Sequence, residues 1–193
     1  MPLEPARVER TLSHTREIRV QAFTRSDGRW ELEAHLVDVK PHNLKLASGV
    51  RPGGAPIHDL WLRVVFDHAF TILAAEAATD GIPYPGACEI ALPDYQRLVG
   101  LNLVHGFRKG VAERLGGLQG CTHLTELASA LPTAALQAFG ADAARERAPG
   151  EPRPDSHQPP FFLDRCHALR RDGEAVREYY PKWYRPPRGA DAA

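Results

Sequence analysis

Side chains alternate in polarity along the ten residues Trp30-Glu31-Leu32-Glu33-Ala34-His35-Leu36-Val37-Asp38-Val39, and this alternation is the strongest indication of the fold. The even-numbered positions from Trp30 to Leu36 are apolar, whereas the odd-numbered positions from Glu31 to His35 are polar. A period of two is typical of a strand with one buried face. Ser26-Asp27-Gly28 is a turn signal, and residues 15–24 before it alternate roughly. The sequence therefore predicts an antiparallel hairpin from strands at 15–24 and 29–40.

A second hairpin is expected further along the chain. Residues 60–67 alternate again, and a short connection leads to a small-residue segment at 71–78. Alanines leave that segment ambiguous by propensity, but its closeness to a strong strand favours a fourth strand. Residues 41–56 hold three prolines and three glycines, which is typical of a loop.

Helices are predicted over about residues 94–139. Proline and glycine between Gly81 and Pro93 exclude a long regular element there. Apolar residues then recur at helical spacing, with interruptions at glycines, and Thr122 is a plausible N-cap for a helix that reaches Phe139. Pro132 predicts a kink or a short break in that helix. The fold class is therefore α+β, with an antiparallel sheet from two hairpins packed against helices.

The domain organisation is read from length and composition. With 193 residues we expect a single domain over 1–193. The ordered core is expected at about 15–139 and 161–184, because residues 140–160 are charged and rich in proline, as in a mobile linker. The apolar segment after the linker predicts that the C-terminal part docks back on the same domain.

Charge and hydropathy exclude several classes of function. Hydrophobic residues make up 43% and charged residues 25%, which excludes a chain disordered throughout. The formal net charge is zero, which argues against nucleic acid as a partner. We expect no membrane span and, since residues 1–10 lack a signal-peptide core, a cytoplasmic protein. The aromatic tail from Tyr179 to Tyr184 suggests a protein partner, and a homo-oligomer is the other option.

Three cysteines without a secretion signal argue against a disulfide framework. Thiolate and imidazole together suit zinc or an iron–sulfur cluster. The sequence therefore predicts a metal- or iron–sulfur-binding protein, with an accessory or maturation role. Its expected ligands come from separate segments, since no Cys-x-x-Cys pair is present. They are Cys88, Cys121, Cys166, His58 and His123.

Two other interpretations of the same residues stay open. The chain is alternatively a small enzyme of hydrolase or isomerase type, using Cys121 and His123, or His58 and Asp59. Cys121 is the best candidate nucleophile because a helix N-terminus lowers a thiol pKa. Glu76, on a small apolar strand, is a candidate general base. The structural alternative is that the cysteines are buried apolar fillers.

The same residues resemble an uncharacterised bacterial domain family of unknown function, over about residues 20–184. The run Gly120-Cys121-Thr122-His123-Leu124 is its most distinctive part. The other matching runs are Gly28 to Ala34, His58 to Arg63, Pro83-Tyr84-Pro85 with Cys88, Leu98 to Gly100, the longer run Gly116 to Leu127 around the distinctive part, and Leu163 to Leu169. The spacing around Cys88 departs from the family's pattern by a residue or so. Membership implies no established activity.

A weaker similarity is to iron–sulfur cluster assembly scaffold proteins. His58-Asp59 precedes the second hairpin, Cys88 follows it and Cys121 opens a late helix, which is similar in order to the cysteine positions of those scaffolds. His58 then stands where a cysteine would be. This resemblance implies a small sheet with helices on one face and a cluster or zinc site at its end.

Overall fold

A computed structural model describes residues 3–145, 159–160 and 162–187, in two compact units that divide between Ala141 and Asp142. In the first unit, four long strands form one antiparallel sheet. They are β1 (Thr15–Thr24), β2 (Trp30–Val39), β5 (Pro56–Phe66) and β6 (Ile72–Gly81), in the order β1-β2-β5-β6. Each hairpin pairs along nearly its whole length, and β2 pairs with β5 to join the two. The two predicted hairpins are therefore confirmed.

Residues 41–56 contain a small element that the composition did not indicate. Strands β3 (Leu44–Leu46) and β4 (Gly49–Arg51) form a separate two-stranded sheet. Gly49 has a φ of 129°, which suits glycine, at the tight turn that joins the strands. Three-residue strands are too short to show alternation, so this hairpin is invisible to a periodicity argument.

The helical half follows the sheet, as expected. Two 3₁₀ turns, Cys88–Ala91 and Pro93–Leu98, precede α1 (Phe107–Leu115). A third 3₁₀ turn, Gly117–Gln119, lies between α1 and α2 (Thr122–Arg145). Helix α2 continues through Pro132 without a break and includes residues 140–145. The rest of the expected linker, residues 146–158, lies outside the described residues.

The core lies between one face of the sheet and the helices. The alternating residues of β2 and β5 are buried on this face, and they form one cluster with α1 and α2. Helix α2 contributes its residues at intervals of three and four, as an amphipathic helix does. These are Leu124, Leu127, Ala128, Leu131 and Ala135. The α+β class with helices packed on an antiparallel sheet is thereby confirmed.

The second unit carries the C-terminal residues. Its regular elements are α3 (Glu174–Tyr179) and a 3₁₀ turn at Pro181–Trp183. Phe162 and Tyr180 meet edge to face, with ring centroids 5.4 Å apart. Asp164 accepts hydrogen bonds from the backbone N–H and the guanidinium of Arg171, which closes the intervening loop. The expected docking of this tail stays a prediction.

Candidate functional site: a buried carboxylate ringed by histidines

The site is built around Asp38, at the end of the apolar face of β2. Residues Trp30, Leu32, Ala34 and Leu36 occupy that face, and Asp38 is the next position on it. Its side chain is 2% exposed, and Asp38 is the buried charged residue in the described part of the chain. A charged group in such a place requires partners, since an unpaired buried charge is strongly destabilising.

Sheet register supplies the first partners of Asp38. Arg16 on β1 and His58 on β5 lie directly opposite Asp38, so three neighbouring strands place the three side chains in one row. Arg16 donates from Nε to Oδ1 and from Nη2 to Oδ2, each at 2.8 Å, and His58 Nδ1 lies 3.0 Å from Oδ2. His14, just before β1, places Nε2 3.0 Å from Oδ1. Each carboxylate oxygen therefore has two partners: Arg16 and His14 at Oδ1, and Arg16 and His58 at Oδ2.

These contacts fix the charge of Asp38. Burial raises the pKa of the carboxyl, but the hydrogen bonds and the positive charge of Arg16, together with His58, outweigh it and lower the pKa to about 2. Arg16 also donates from Nη1 to Glu126 of α2 at 2.6 Å. Asp38 is therefore a carboxylate at neutral pH, and Arg16 links the sheet to α2 through its two acidic partners.

His123, in the first turn of α2, completes the cluster from the helix side. Its ring lies on that of His58, with centroids 3.7 Å apart and an interplanar angle of 31°. Its Nε2 is 4.0 Å from Asp38 Oδ2. Burial lowers the pKa of both histidines, with His123 acting further on His58 and Arg16 acting further on His123. The lowered pKa values favour neutral imidazoles, which can offer a lone pair.

Cys121 immediately precedes α2 and is held in place through its backbone. Its N–H donates to the Tyr95 hydroxyl at 3.1 Å, and that hydroxyl donates to the Cys121 carbonyl at 2.8 Å. The thiol Sγ lies 3.9 Å from His123 Nδ1. The side chains of Cys121 and His123 therefore meet, although they are only two residues apart on the chain.

A pocket of about 230 Å³ opens beside the two histidines. Four of the residues singled out from the sequence line it, namely His58, Cys88, Cys121 and His123. The structure thus brings together four side chains from three separate segments. Cys166 is exposed and belongs to the second unit, which is described by itself.

Asp59 and Glu76 lie on the other face of the sheet. Neighbouring strand residues project to opposite faces, so Asp59 turns away from the pocket that His58 lines. It lies 2.6 Å from His35 Nε2, whose ring stacks on Trp61. Glu76 is 69% exposed and pairs with Arg63 at 3.3 Å. Neither carboxylate joins the Asp38 cluster.

Three residues of the site, Asp38, Arg16 and His14, are not among the site residues predicted from the sequence. A signal for Asp38 was present, because the alternation that buries Leu36 also places Asp38 on the buried face. Arg16 then follows from the hairpin register, which pairs it with Asp38. The signal for His14 is weaker, since it precedes the strand.

Comparison with known proteins gives a family and no activity. The fold and the site define an α+β protein with a carboxylate–histidine cluster at one end of a four-stranded sheet. The chain belongs to the family described as Protein of unknown function (DUF2889), whose model matches residues 14–137. That span contains His14, Asp38, His58, Cys121 and His123.

The other comparisons find no match. No curated protein and no solved structure is significantly similar to the chain. Within the described residues, no helix has both the length and the apolar character that crossing a membrane requires.

Proposed function

We propose that this protein binds a divalent metal ion, zinc in particular, between Asp38, His58 and His123. One observation carries the proposal: each of these residues offers a ligand atom, and the three atoms lie within 4.8 Å of one another. Two ligands on a tetrahedral zinc, each bonded at about 2.0–2.1 Å, are about 3.3 Å apart. The contacts of Asp38 Oδ2 with His58 at 3.0 Å and with His123 at 4.0 Å bracket that value.

The protonation states support metal binding. Metal ligands must be deprotonated, and both histidines have lowered pKa values while Asp38 has a pKa of about 2. Binding at neutral pH therefore displaces few protons from these three groups. The surrounding charge is also suitable, because Arg16 is balanced by both Asp38 and Glu126, which leaves one net negative charge near the ion.

The ligand set favours zinc over an iron–sulfur cluster. Iron–sulfur clusters are usually held by four cysteine thiolates, whereas the lining of this pocket contains two cysteines, Cys88 and Cys121. Two imidazoles and a carboxylate are a common zinc set, and three protein ligands leave one position open for water or substrate. Such an open site suits metal-assisted hydrolysis better than a purely accessory role.

A second candidate function rests on the contacts of the two ring nitrogens of His123. Nδ1 lies 3.9 Å from the thiol of Cys121, and Nε2 lies 4.0 Å from the carboxylate of Asp38. This is the order of a cysteine–histidine–aspartate triad. In that function His123 takes the proton of Cys121, the thiolate attacks an acyl carbonyl, and the leaving group takes the proton from His123. Water, activated by His123, then hydrolyses the thioester.

Zinc titration of the full chain separates these functions. The protein is stripped with a chelator, and zinc affinity is measured by competition with a chromophoric indicator. We expect one zinc per chain, and a loss of affinity of at least about 100-fold in His58→Ala and in His123→Ala. His105→Ala, at an exposed histidine, is the matched control and should bind like the wild type.

The same titration has outcomes that would contradict the proposal. Absence of stoichiometric zinc binding, or equal losses in His105→Ala and His58→Ala, contradicts it. Cys121→Ser should keep its zinc, because the thiol faces the other nitrogen of His123. A loss of zinc in Cys121→Ser as large as in His123→Ala would instead indicate a thiolate-containing ligand set. Rapid alkylation of Cys121 in zinc-free protein, slowed in His123→Ala, would favour the triad.

A further inference from the structure

The pocket beside the histidines has one chemically capable end and an apolar body. Leu60 follows His58 on the buried face of β5, and Leu124 follows His123 on α2. Ile82, after β6, and Leu92, between the two 3₁₀ turns, form other parts of the wall. The pocket is thus lined by apolar side chains from the sheet, the 3₁₀ segment and α2, together with two cysteines and the adjacent imidazoles of His58 and His123.

Its lining lacks formal charge. Among the described residues that line the pocket there is no lysine, arginine, aspartate or glutamate. Arg16 pairs with both Asp38 and Glu126, and none of these three residues belongs to the lining. A charged ligand body would lose its hydration here without gaining a counter-charge, whereas an uncharged apolar body loses little. The lining therefore disfavours a charged organic body, whereas a metal ion would be held by Asp38, His58 and His123 together.

The volume limits the size of the occupant. A cavity of about 150 Å³ lined by apolar side chains accommodates a benzene molecule. The pocket, at about 230 Å³, has room for a six-membered ring with a short substituent. A whole nucleotide or peptide is larger than this volume, so only part of it would lie inside.

Building on the proposed function, we propose that this pocket binds a small uncharged molecule with an apolar, ring-sized body and one polar end directed at His58 and His123. The polar end, a hydroxyl or carbonyl oxygen, lies where the open position of the bound ion is expected. The apolar body lies against Leu60, Ile82, Leu92 and Leu124. This assigns the substrate class of the site: small neutral alcohols, esters or ketones.

Three probes with one ring and different charges test this inference. Benzyl alcohol, benzoate and benzylamine are titrated into the metal-free full chain labelled with ¹⁵N, and amide shifts are followed at Leu60, Ile82 and Leu124. We expect saturable shifts with benzyl alcohol, and an affinity about tenfold or more weaker for the two charged probes, because the lining offers neither of them a charged side chain and Asp38 is already paired with Arg16. The amide of Leu73, on β6 outside the pocket, should not move.

Substitutions that fill the pocket test whether benzyl alcohol binds there. Leu92→Phe fills part of the pocket and should weaken benzyl alcohol by about fivefold or more, since it removes apolar contact area and space. Leu73→Phe is the matched control and should leave the affinity unchanged. Ile82→Phe serves as a second pocket-filling variant if Leu92→Phe does not fold, as judged by circular dichroism.

The outcomes separate this inference from the metal proposal. Benzoate or benzylamine binding as tightly as benzyl alcohol, or no saturable binding of the alcohol, overturns the inference. If the protein binds zinc but not benzyl alcohol, the proposed ligand class is contradicted and the proposed metal site remains supported. Alcohol binding without zinc binding overturns the metal proposal and leaves the pocket assignment supported.

Discussion

At the scale of single residues, Asp38 is the side chain on which the site depends. Its carboxylate is buried, and Arg16, His14 and His58 lie within hydrogen-bonding distance of it. Buried charges add little net stability compared with apolar residues, but removing one partner leaves the other uncompensated. Stability alone therefore gives little reason for a buried carboxylate at this position, which is in keeping with the proposed metal site.

Replacing Asp38 by Asn tests this arrangement. The amide cannot accept from all its present donors and leaves Arg16 without its main counter-charge, so we expect a loss of about 2 kcal/mol in the free energy of unfolding. The estimate is modest because Arg16 is 30% exposed and can regain water. Urea denaturation measures it.

The matched control for that substitution is Glu76→Gln. Glu76 is an exposed carboxylate with an arginine partner on the outer face, so its loss should change stability by less than about 0.5 kcal/mol. Equal effects of Asp38→Asn and Glu76→Gln would contradict the central place of Asp38.

At the scale of elements, the start of α2 determines whether Cys121 and His123 reach the sheet. Tyr95 is fully buried, and its hydroxyl contacts the backbone N–H and carbonyl of Cys121 and the hydroxyl of Thr125. Burial raises the pKa of Tyr95, which keeps the hydroxyl protonated and able to donate. One side chain thus fixes the first turn of α2 against the second 3₁₀ turn.

Tyr95→Phe removes that anchor. We expect a loss of about 1–3 kcal/mol in unfolding free energy, because the Cys121 N–H loses its acceptor in a half-buried place. Zinc affinity should also fall, since His123 is two residues away. Tyr179→Phe, at a tyrosine that is 67% exposed, is the control and should affect neither quantity. Unchanged stability and zinc affinity in Tyr95→Phe would show that Tyr95 does not position the site.

The interior of α2 makes a separate prediction about the core. Leu131 of α2 is fully buried in the core. Leu131→Ala should therefore lower the free energy of unfolding by about 2–5 kcal/mol, because contacts are lost and a cavity is left. Leu118 is fully exposed, and Leu118→Ala should change stability by less than about 0.5 kcal/mol. Thermal or urea unfolding compares the two. Similar costs at both positions would contradict the packing of α2.

At the scale of the whole molecule, acid should destabilise the metal-free protein in two steps. The folded pKa values of His58 and His123 are lowered, so the unfolded chain binds protons more readily and stability falls as pH drops below about 6.5. Asp38 also has a lowered pKa, so its contribution is present above about pH 4 and is lost as pH falls toward 2.

Urea midpoints measured in chelator from pH 8 to pH 3 check this expectation. The midpoint should decline first between pH 7 and pH 5 and then again below pH 4. His123→Gln should show a smaller first decline, because it removes one of the two histidines. A midpoint that stays constant or rises on acidification from pH 8 to pH 5 would contradict the buried, neutral state of the histidines.

The two hairpins, the helical second half and the α+β class could all be predicted from the amino-acid sequence. Those features follow from periods of two and of about 3.6, which are local along the chain. The sequence also marked His58, Cys88, Cys121 and His123 as candidates, because residue type carries their chemistry. It did not reveal the β3–β4 hairpin, whose strands are too short for a period to appear.

Which of the candidate residues contact one another depends on the three-dimensional fold. Arg16, Asp38 and His58 share a row because of strand register, and His123 joins them because α2 packs its first turn against that end of the sheet. Asp59 and Glu76 face the other way for the same reason. Register and helix packing depend on contacts between residues far apart in the chain, and local periodicity does not specify such contacts.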